Sequence, residues 1–166
     1  MKLKNVHVTT FRSILDSGPV DIEATTCLVG KNEAGKTAFL KALEGLKPVD
    51  QAFSYDRTRD YPRRDLLRYD KLHEEHDATI ISTIWELDDA DKEVLSDEFG
   101  EKAITGNEIK LERGYGNRET QWTVPVDENA VLRCLYERFG LKCPATPLVK
   151  ARDIAGGDFG GSGSRA

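Results

Sequence analysis

Apolar and polar residues alternate from Lys2 to Thr10, with Leu3, Val6 and Val8 among polar neighbours, and the pattern predicts an opening strand. Phe11-Arg12-Ser13 reads as a turn, Gly18-Pro19 as a break, and Val20 to Ile22 as a return strand. Thr25 to Val29 is a short apolar run of the kind a buried strand shows. From Thr37 to Leu46 the period becomes helical: Ala38, Phe39, Ala42, Leu43 and Leu46 share one face, and Pro48 stops the helix.

Residues 47–76 are mostly polar, which predicts loops with one short helix, and Ala78 to Leu87 carries a second strong strand pattern. Asp88 or Asp89 can cap a helix whose apolar residues Val94, Leu95 and Phe99 precede Gly100. Glu108 to Arg113 and Glu119 to Val124 flank Gly114-Tyr115-Gly116-Asn117 and read as a hairpin. Asp127 caps a last helix, with Val131, Leu132, Leu135, Tyr136 and Phe139 on one side and Gly140 closing it. The tail from Gly156 to Ala166 has five glycines and two serines. It cannot bury enough surface to order itself and reads as a flexible linker, an engineered scar or a truncation point. The folded domain is expected over residues 1–155.

Composition narrows this picture. The 166 residues are 39% hydrophobic and 32% charged with net charge −5, an ordinary soluble balance with one core. No apolar run approaches the ~20 residues that span a bilayer, and the opening residues lack a signal peptide's apolar stretch. Cys27, Cys134 and Cys143 show neither a CxxC spacing nor an even count, so no disulfide framework or zinc site is implied, and the chain reads as cytoplasmic.

The chemistry concentrates in Gly30-Lys31-Asn32-Glu33-Ala34-Gly35-Lys36-Thr37, which matches GxxxxGK[ST], the P-loop or Walker A pattern. Gly30 and Gly35 permit backbone angles that turn successive N–H groups inward around an anion. The helix that follows adds its positive N-terminal end. Lys36, expected to face solvent without ligand, supplies charge to β- and γ-phosphates, and the Thr37 hydroxyl ligates magnesium. All eight residues are candidate contacts to ATP and Mg2+, with Thr37 the candidate metal ligand.

Leu28-Val29-Gly30 and Asn32-Glu33-Ala34-Gly35-Lys36-Thr37, preceded by an opening strand, Phe11-Arg12-Ser13 and a hairpin, resemble the N-terminal lobe of ABC-type ATPases in the SMC, RecF and OLD (overcoming lysogenization defect) group. Lys31 stands where many members have proline. The later order of Tyr61-Pro62-Arg63-Arg64, a strand ending Trp85-Glu86-Leu87-Asp88-Asp89 and an acidic helix is most similar to OLD-type nucleases.

The resemblance implies an α/β fold with a P-loop core and an added antiparallel β-sheet, and places Arg12 near the nucleotide. It also implies a head-to-head homodimer around two ATP molecules, a C-terminal TOPRIM nuclease outside this chain, and a setting in phage defence or DNA processing. Two alternatives stay open: an SMC- or RecF-like DNA-repair ATPase without nuclease, and a self-contained P-loop kinase or GTPase, although no NKxD guanine-reading motif occurs. No LSGG-type signature or Walker B strand is visible, and Glu86 and Asp88 follow too closely on the P-loop for that family. ATP hydrolysis is therefore expected of the full protein and not of this chain alone.

Three weaker features complete the reading. Residues 57–71 carry six cations (Arg57, Arg59, Arg63, Arg64, Arg68 and Lys71) against Asp60, Asp65 and Asp70. That run either tracks nucleic-acid phosphates while Tyr61 and Tyr69 stack on bases, or is a surface whose aspartates pair with its arginines. Residues 72–101 carry eleven acids against Lys92. His73-Glu74-Glu75-His76 offers two imidazoles and carboxylates to a metal, against a solvated loop as the plainer reading. Cys27 reads as a small core residue.

Overall fold

A computed structural model describes residues 1–31, 35–46, 54–74, 76–100, 102–116 and 120–140. Asn32, Glu33, Ala34, Pro48, Glu75, Asn117, Glu119, Cys143 and the glycine-rich tail lie outside the described residues. The chain divides into two compact units, one of Met1–Val94 with Gly106–Pro125, the other of Leu95–Thr105 with Val126–Ala166.

The first unit is mixed α/β and built on a five-stranded sheet. Its strands are β1 (Lys2–Phe11), β2 (Ile14–Asp21), β3 (Thr79–Glu86), β4 (Glu108–Gly114) and β5 (Gln121–Thr123). They lie in the order β2-β1-β3-β4-β5, with every neighbouring pair antiparallel. Alternation drives the burial: Ile109, Leu111 and Arg113 of β4 are buried while Glu108 and Lys110 are exposed. Val6, Val8, Phe11, Ile80 and Ile81 are fully buried in the adjacent strands. Helix α1 (Lys36–Leu46) lies against β1 and β3 and buries Ala38, Phe39, Ala42 and Leu46.

Arg113, itself buried, reaches from β4 to the end of α1, where its Nη1 donates to the carbonyls of Gly45 at 2.5 Å and Leu46 at 3.5 Å. The guanidinium thereby satisfies acceptors that a helix C-terminus leaves without partners, at the negative end of its dipole. Thr120 Oγ1 adds a donor to Leu46 O, and Tyr55 Oη donates to Ala42 O at 2.6 Å.

Between α1 and β3 come α2 (Arg57–Asp60), a single 3₁₀ turn (Leu66–Arg68) and α3 (Tyr69–Leu72). Tyr61 and Tyr69 are buried, meet edge to face at 4.8 Å, and also meet His73 and Tyr115. The tyrosines of the basic run are therefore core residues, unavailable for stacking on bases, because their rings are buried against one another and against Ala78 and Tyr115.

Two sequence expectations are corrected. Gly18-Pro19 does not break the second strand, which starts at Ile14 and runs through the pair. The strand is at the sheet edge and its register shifts opposite His7–Thr9, where a proline without N–H and a glycine at φ 63° are accommodated. Residues 25–29 form no strand: Cys27 and Val29 are exposed, Val29 by 92%, and Leu28 is only half-buried. No described strand pairs with this segment, so its apolar residues lack the flanking neighbours that would bury them, and Cys27 is not a core residue.

Helix α4 (Asp89–Phe99) opens with a reciprocal cap, in which the Asp91 N–H donates to Asp88 Oδ1 and the Asp88 N–H to Asp91 Oδ2. In the second unit the chain leaves α4 at Gly100, bridges Ile104 to Val126, and enters α5 (Glu128–Arg138). Asp127 caps α5 by accepting from the Asn129 and Ala130 N–H groups. The cap predicted for this helix is present, and its apolar residues are half-buried except the exposed Phe139.

Candidate functional site

The glycine motif lies where the first unit turns into α1. Gly30 is nearly extended at φ 159°, whereas Gly35 has φ 88°, a left-handed conformation that a side chain resists. A methyl group on Gly35 would stand 2.9 Å from Ile14 Cγ1 and 3.3 Å from Ser13 Oγ. The turn between β1 and β2 is thus packed directly on the last glycine of the motif. Helix α1 starts at the next residue, and the Phe39 N–H donates to Gly35 O at 2.8 Å.

Lys36 does not extend into solvent as its sequence position suggests. Its Nζ folds back and donates to Gly30 O and Lys31 O, each at 2.6 Å. Carbonyl dipoles are acceptors for an ammonium, and both of these belong to the loop itself. Thr37 and Lys31 are exposed. Asn32, Glu33 and Ala34, whose N–H groups the motif assigns to phosphate, lie outside the described residues. Beside Lys36 an open cavity of about 540 Å³ is lined by Ser13, Ile14, Asp16, Leu28, Gly35 and Phe39 among others.

Arg12 sits in the turn that touches Gly35. Its φ of 54° is left-handed, as is that of Thr10 at 47°. Non-glycine residues hold such angles only where their surroundings fix them. For Arg12 the fixing group is Asp60, 48 residues later: the Arg12 N–H donates to Asp60 O at 2.6 Å, and Arg12 Nε to Asp60 Oδ1 at 2.9 Å. Asp60 has no exposed surface. Its second oxygen accepts from Arg59 Nη2 at 2.7 Å, Arg59 Nε at 3.1 Å and the Asp56 N–H at 3.2 Å. Burial alone would raise the Asp60 carboxyl, but the hydrogen bonds from Arg59, Asp56 and Arg12 outweigh it and hold the group below the ordinary carboxylate value. Sequence reasoning missed Asp60. An aspartate beside an arginine in a charged run looks like any surface pair, and nothing in the residue order joins it to Arg12.

The other sequence candidates are placed elsewhere. Glu86 stands opposite Lys2 in the strand register at the start of β1 and forms an ion pair with Lys4, and the turn at Gly35 follows the opposite end of that strand, about 30 Å away at ordinary strand rise. Asp88 is occupied by the Met1 amino group at 2.8 Å, which together with the Asp91 N–H holds its carboxyl down at about 2. Neither acid can orient a water at the P-loop. In the basic run Arg57 pairs with Asp70, Arg59 with Asp60 and Arg64 with Asp65. His73 Nε2 is engaged with Tyr61 Oη at 3.1 Å. Among the described residues no group of three or more His, Cys, Asp or Glu is gathered for a metal, and no helix is long and apolar enough to cross a membrane.

What the described geometry offers is an ammonium, a hydroxyl and a helix N-terminus around one loop, with a guanidinium on the turn beside it. The ammonium and the helix N-terminus suit a polyanion such as a nucleoside triphosphate, and Asp16 is the carboxylate that lines the cavity beside them among the described residues. Residues 1–143 match the family described as AAA ATPase domain. No curated protein matches the chain.

Proposed function

This chain belongs to the AAA ATPase domain family, and on that premise we propose that Gly30–Thr37 bind ATP with magnesium. The observation that carries the reading is the position of Lys36, whose ammonium is held over the loop by Gly30 O and Lys31 O at the mouth of α1. Phosphate oxygens are stronger acceptors than carbonyls, so a bound β- or γ-phosphate takes the ammonium from them. The first-turn N–H groups of α1 face the same anion. Thr37 Oγ1, exposed beside them, would hold the magnesium ion, which neutralises phosphate charge when bound. The packing of Ser13 and Ile14 on Gly35 keeps the loop's last residue in its left-handed conformation.

Hydrolysis needs in addition a group that orients the attacking water. Glu86 and Asp88, at the other end of β1, do not supply it, which supports an ATPase completed by residues outside the described set. The wider reading is the head of an OLD-like enzyme that dimerises around two nucleotides, acts on DNA and regulates a C-terminal TOPRIM nuclease. The Phe11-Arg12-Ser13 turn seated against the P-loop supports it. The test of the ATP assignment is thermal melting with and without Mg-ATP. The midpoint should rise with nucleotide in the wild type, rise less in Thr37→Ala and not move in Lys36→Ala. A shift that survives Lys36→Ala would refute the assignment.

A further inference from the structure

Arg12 is gripped twice by one residue. Main chain and side chain of Asp60 both accept from it, and together they hold a left-handed turn that arginine would otherwise leave. Of the guanidinium, the grip uses only Nε. Among the described residues the two terminal amino groups of Arg12 have no hydrogen-bond partner, and its side chain remains 38% exposed. Those two amino groups are the ones an arginine presents, fork-like, to phosphate oxygens. The guanidinium is further steadied over the Phe11 ring, 5.2 Å from its centroid. The neighbouring residues Ser13 and Ile14 abut Gly35 of the P-loop.

We propose that Asp60 is the positioning residue for Arg12: from the buried end of α2 it fixes the turn and aims the free side of the guanidinium at the phosphates of the nucleotide in the P-loop. The inference rests on the ATP reading above and extends it to a residue outside the motif. Asp60 suits the task because it is immobile. It is fully buried, and its second oxygen is held by Arg59 and by the Asp56 N–H, so that neither carboxylate oxygen is free to turn away from Arg12. The segment that carries the basic run is thereby tied to the nucleotide site through a single residue. A purely structural Asp60 would anchor α2 and alter stability, but its loss would cost the same nucleotide affinity whether or not Arg12 is present.

That difference defines the experiment. Mg-ATP dissociation constants and melting midpoints are measured on the full 166-residue chain for wild type, Lys36→Ala, Arg12→Ala, Asp60→Ala, Asp60→Asn and the Arg12→Ala/Asp60→Ala pair. Arg12→Ala and Asp60→Ala should each weaken binding on the order of tenfold, as loss of a charge-assisted contact does. The double variant should be no weaker than either single one. Asp60→Asn, which keeps an acceptor oxygen but not its charge, should recover part of the loss. Wild-type affinity in Asp60→Ala, or independent losses that multiply in the double variant, would overturn the inference. Should Asp60→Ala not fold, Asp60→Asn decides, alone and paired with Arg12→Ala: wild-type affinity in Asp60→Asn, or losses that multiply in the pair, would overturn the proposal, and a loss in Asp60→Asn that disappears once Arg12 is alanine would support it. Binding that survives Lys36→Ala removes the ATP reading and this inference with it, whereas Lys36-dependent binding indifferent to Asp60 removes the inference alone.

Discussion

Gly35→Ala is the sharpest structural test of how the loop is held. At φ 88° an alanine is in the left-handed region, which costs about 1–2 kcal/mol for a residue with a Cβ. The new methyl would also stand 2.9 Å from Ile14 Cγ1, well inside normal carbon contact. Relieving that overlap by shifting the turn costs roughly 1–2 kcal/mol more. The expected total is about 2–4 kcal/mol, a fall in melting midpoint of roughly 5–15 °C for a domain of this size. Gly18→Ala is the control, since Gly18 has a similar left-handed φ of 63° but nothing within 4 Å of the added methyl. It should show only the backbone share. The difference between the two variants, read by denaturant or thermal unfolding, isolates the contact with the β1–β2 turn. Adding Ile14→Ala to Gly35→Ala should recover about 1 kcal/mol of coupling. Equal effects of the two glycine substitutions, or a coupling of zero, would refute the claim that the turn is packed on the P-loop.

Other outcomes follow from the same geometry. Arg113→Met should destabilise by about 2–4 kcal/mol, because the carbonyls of Gly45 and Leu46 lose a buried charged donor; unfolding of the purified variant would measure it. The Asp60 carboxyl lies below its ordinary 3.8, so the unfolded chain takes up that proton more readily. The stability it contributes is complete above about pH 4 and lost as pH falls through the lower folded value. A melting midpoint followed against pH should accordingly drop on the acid side, less steeply in Asp60→Asn, and a drop already between pH 7 and 5 would contradict this. If the basic run binds DNA, replacing Arg63, Arg64 and Arg68 with alanine should flatten the slope of log affinity against log salt; an unchanged slope would leave the run a paired surface.

Much of the fold was legible in the residue order wherever one period or one cap decided it. The alternation around Val6 and Val8, the helical face of Phe39 and Ala42, and the caps Asp88 and Asp127 are local signals, and each element stands where they put it. Partners distant in sequence were not legible. Residues 25–29 look like a buried strand, but burial needs neighbouring strands, and the described sheet places none beside them. Tyr61 and Tyr69 look like surface aromatics in a basic run, yet they join Tyr115 from beyond β4 to form a small core. The glycine motif could be singled out as a candidate phosphate loop because its eight residues are consecutive, and ATP binding there is the proposal made above. Asp60 was not legible, because its bonds to Arg12 form only once the segment holding α2 folds back onto the β1–β2 turn.

The central claim is that the loop ending at Lys36 and Thr37 holds Mg-ATP. Equilibrium titration of the purified chain with ATP in the presence of magnesium, by calorimetry, tests it most directly. The account predicts saturable binding at one site per chain, weakened by magnesium chelation and lost, by a hundredfold or more on the order of 3 kcal/mol, in a folded Lys36→Ala variant. Binding of equal strength in wild type and Lys36→Ala, or no binding by a folded wild type, would contradict it.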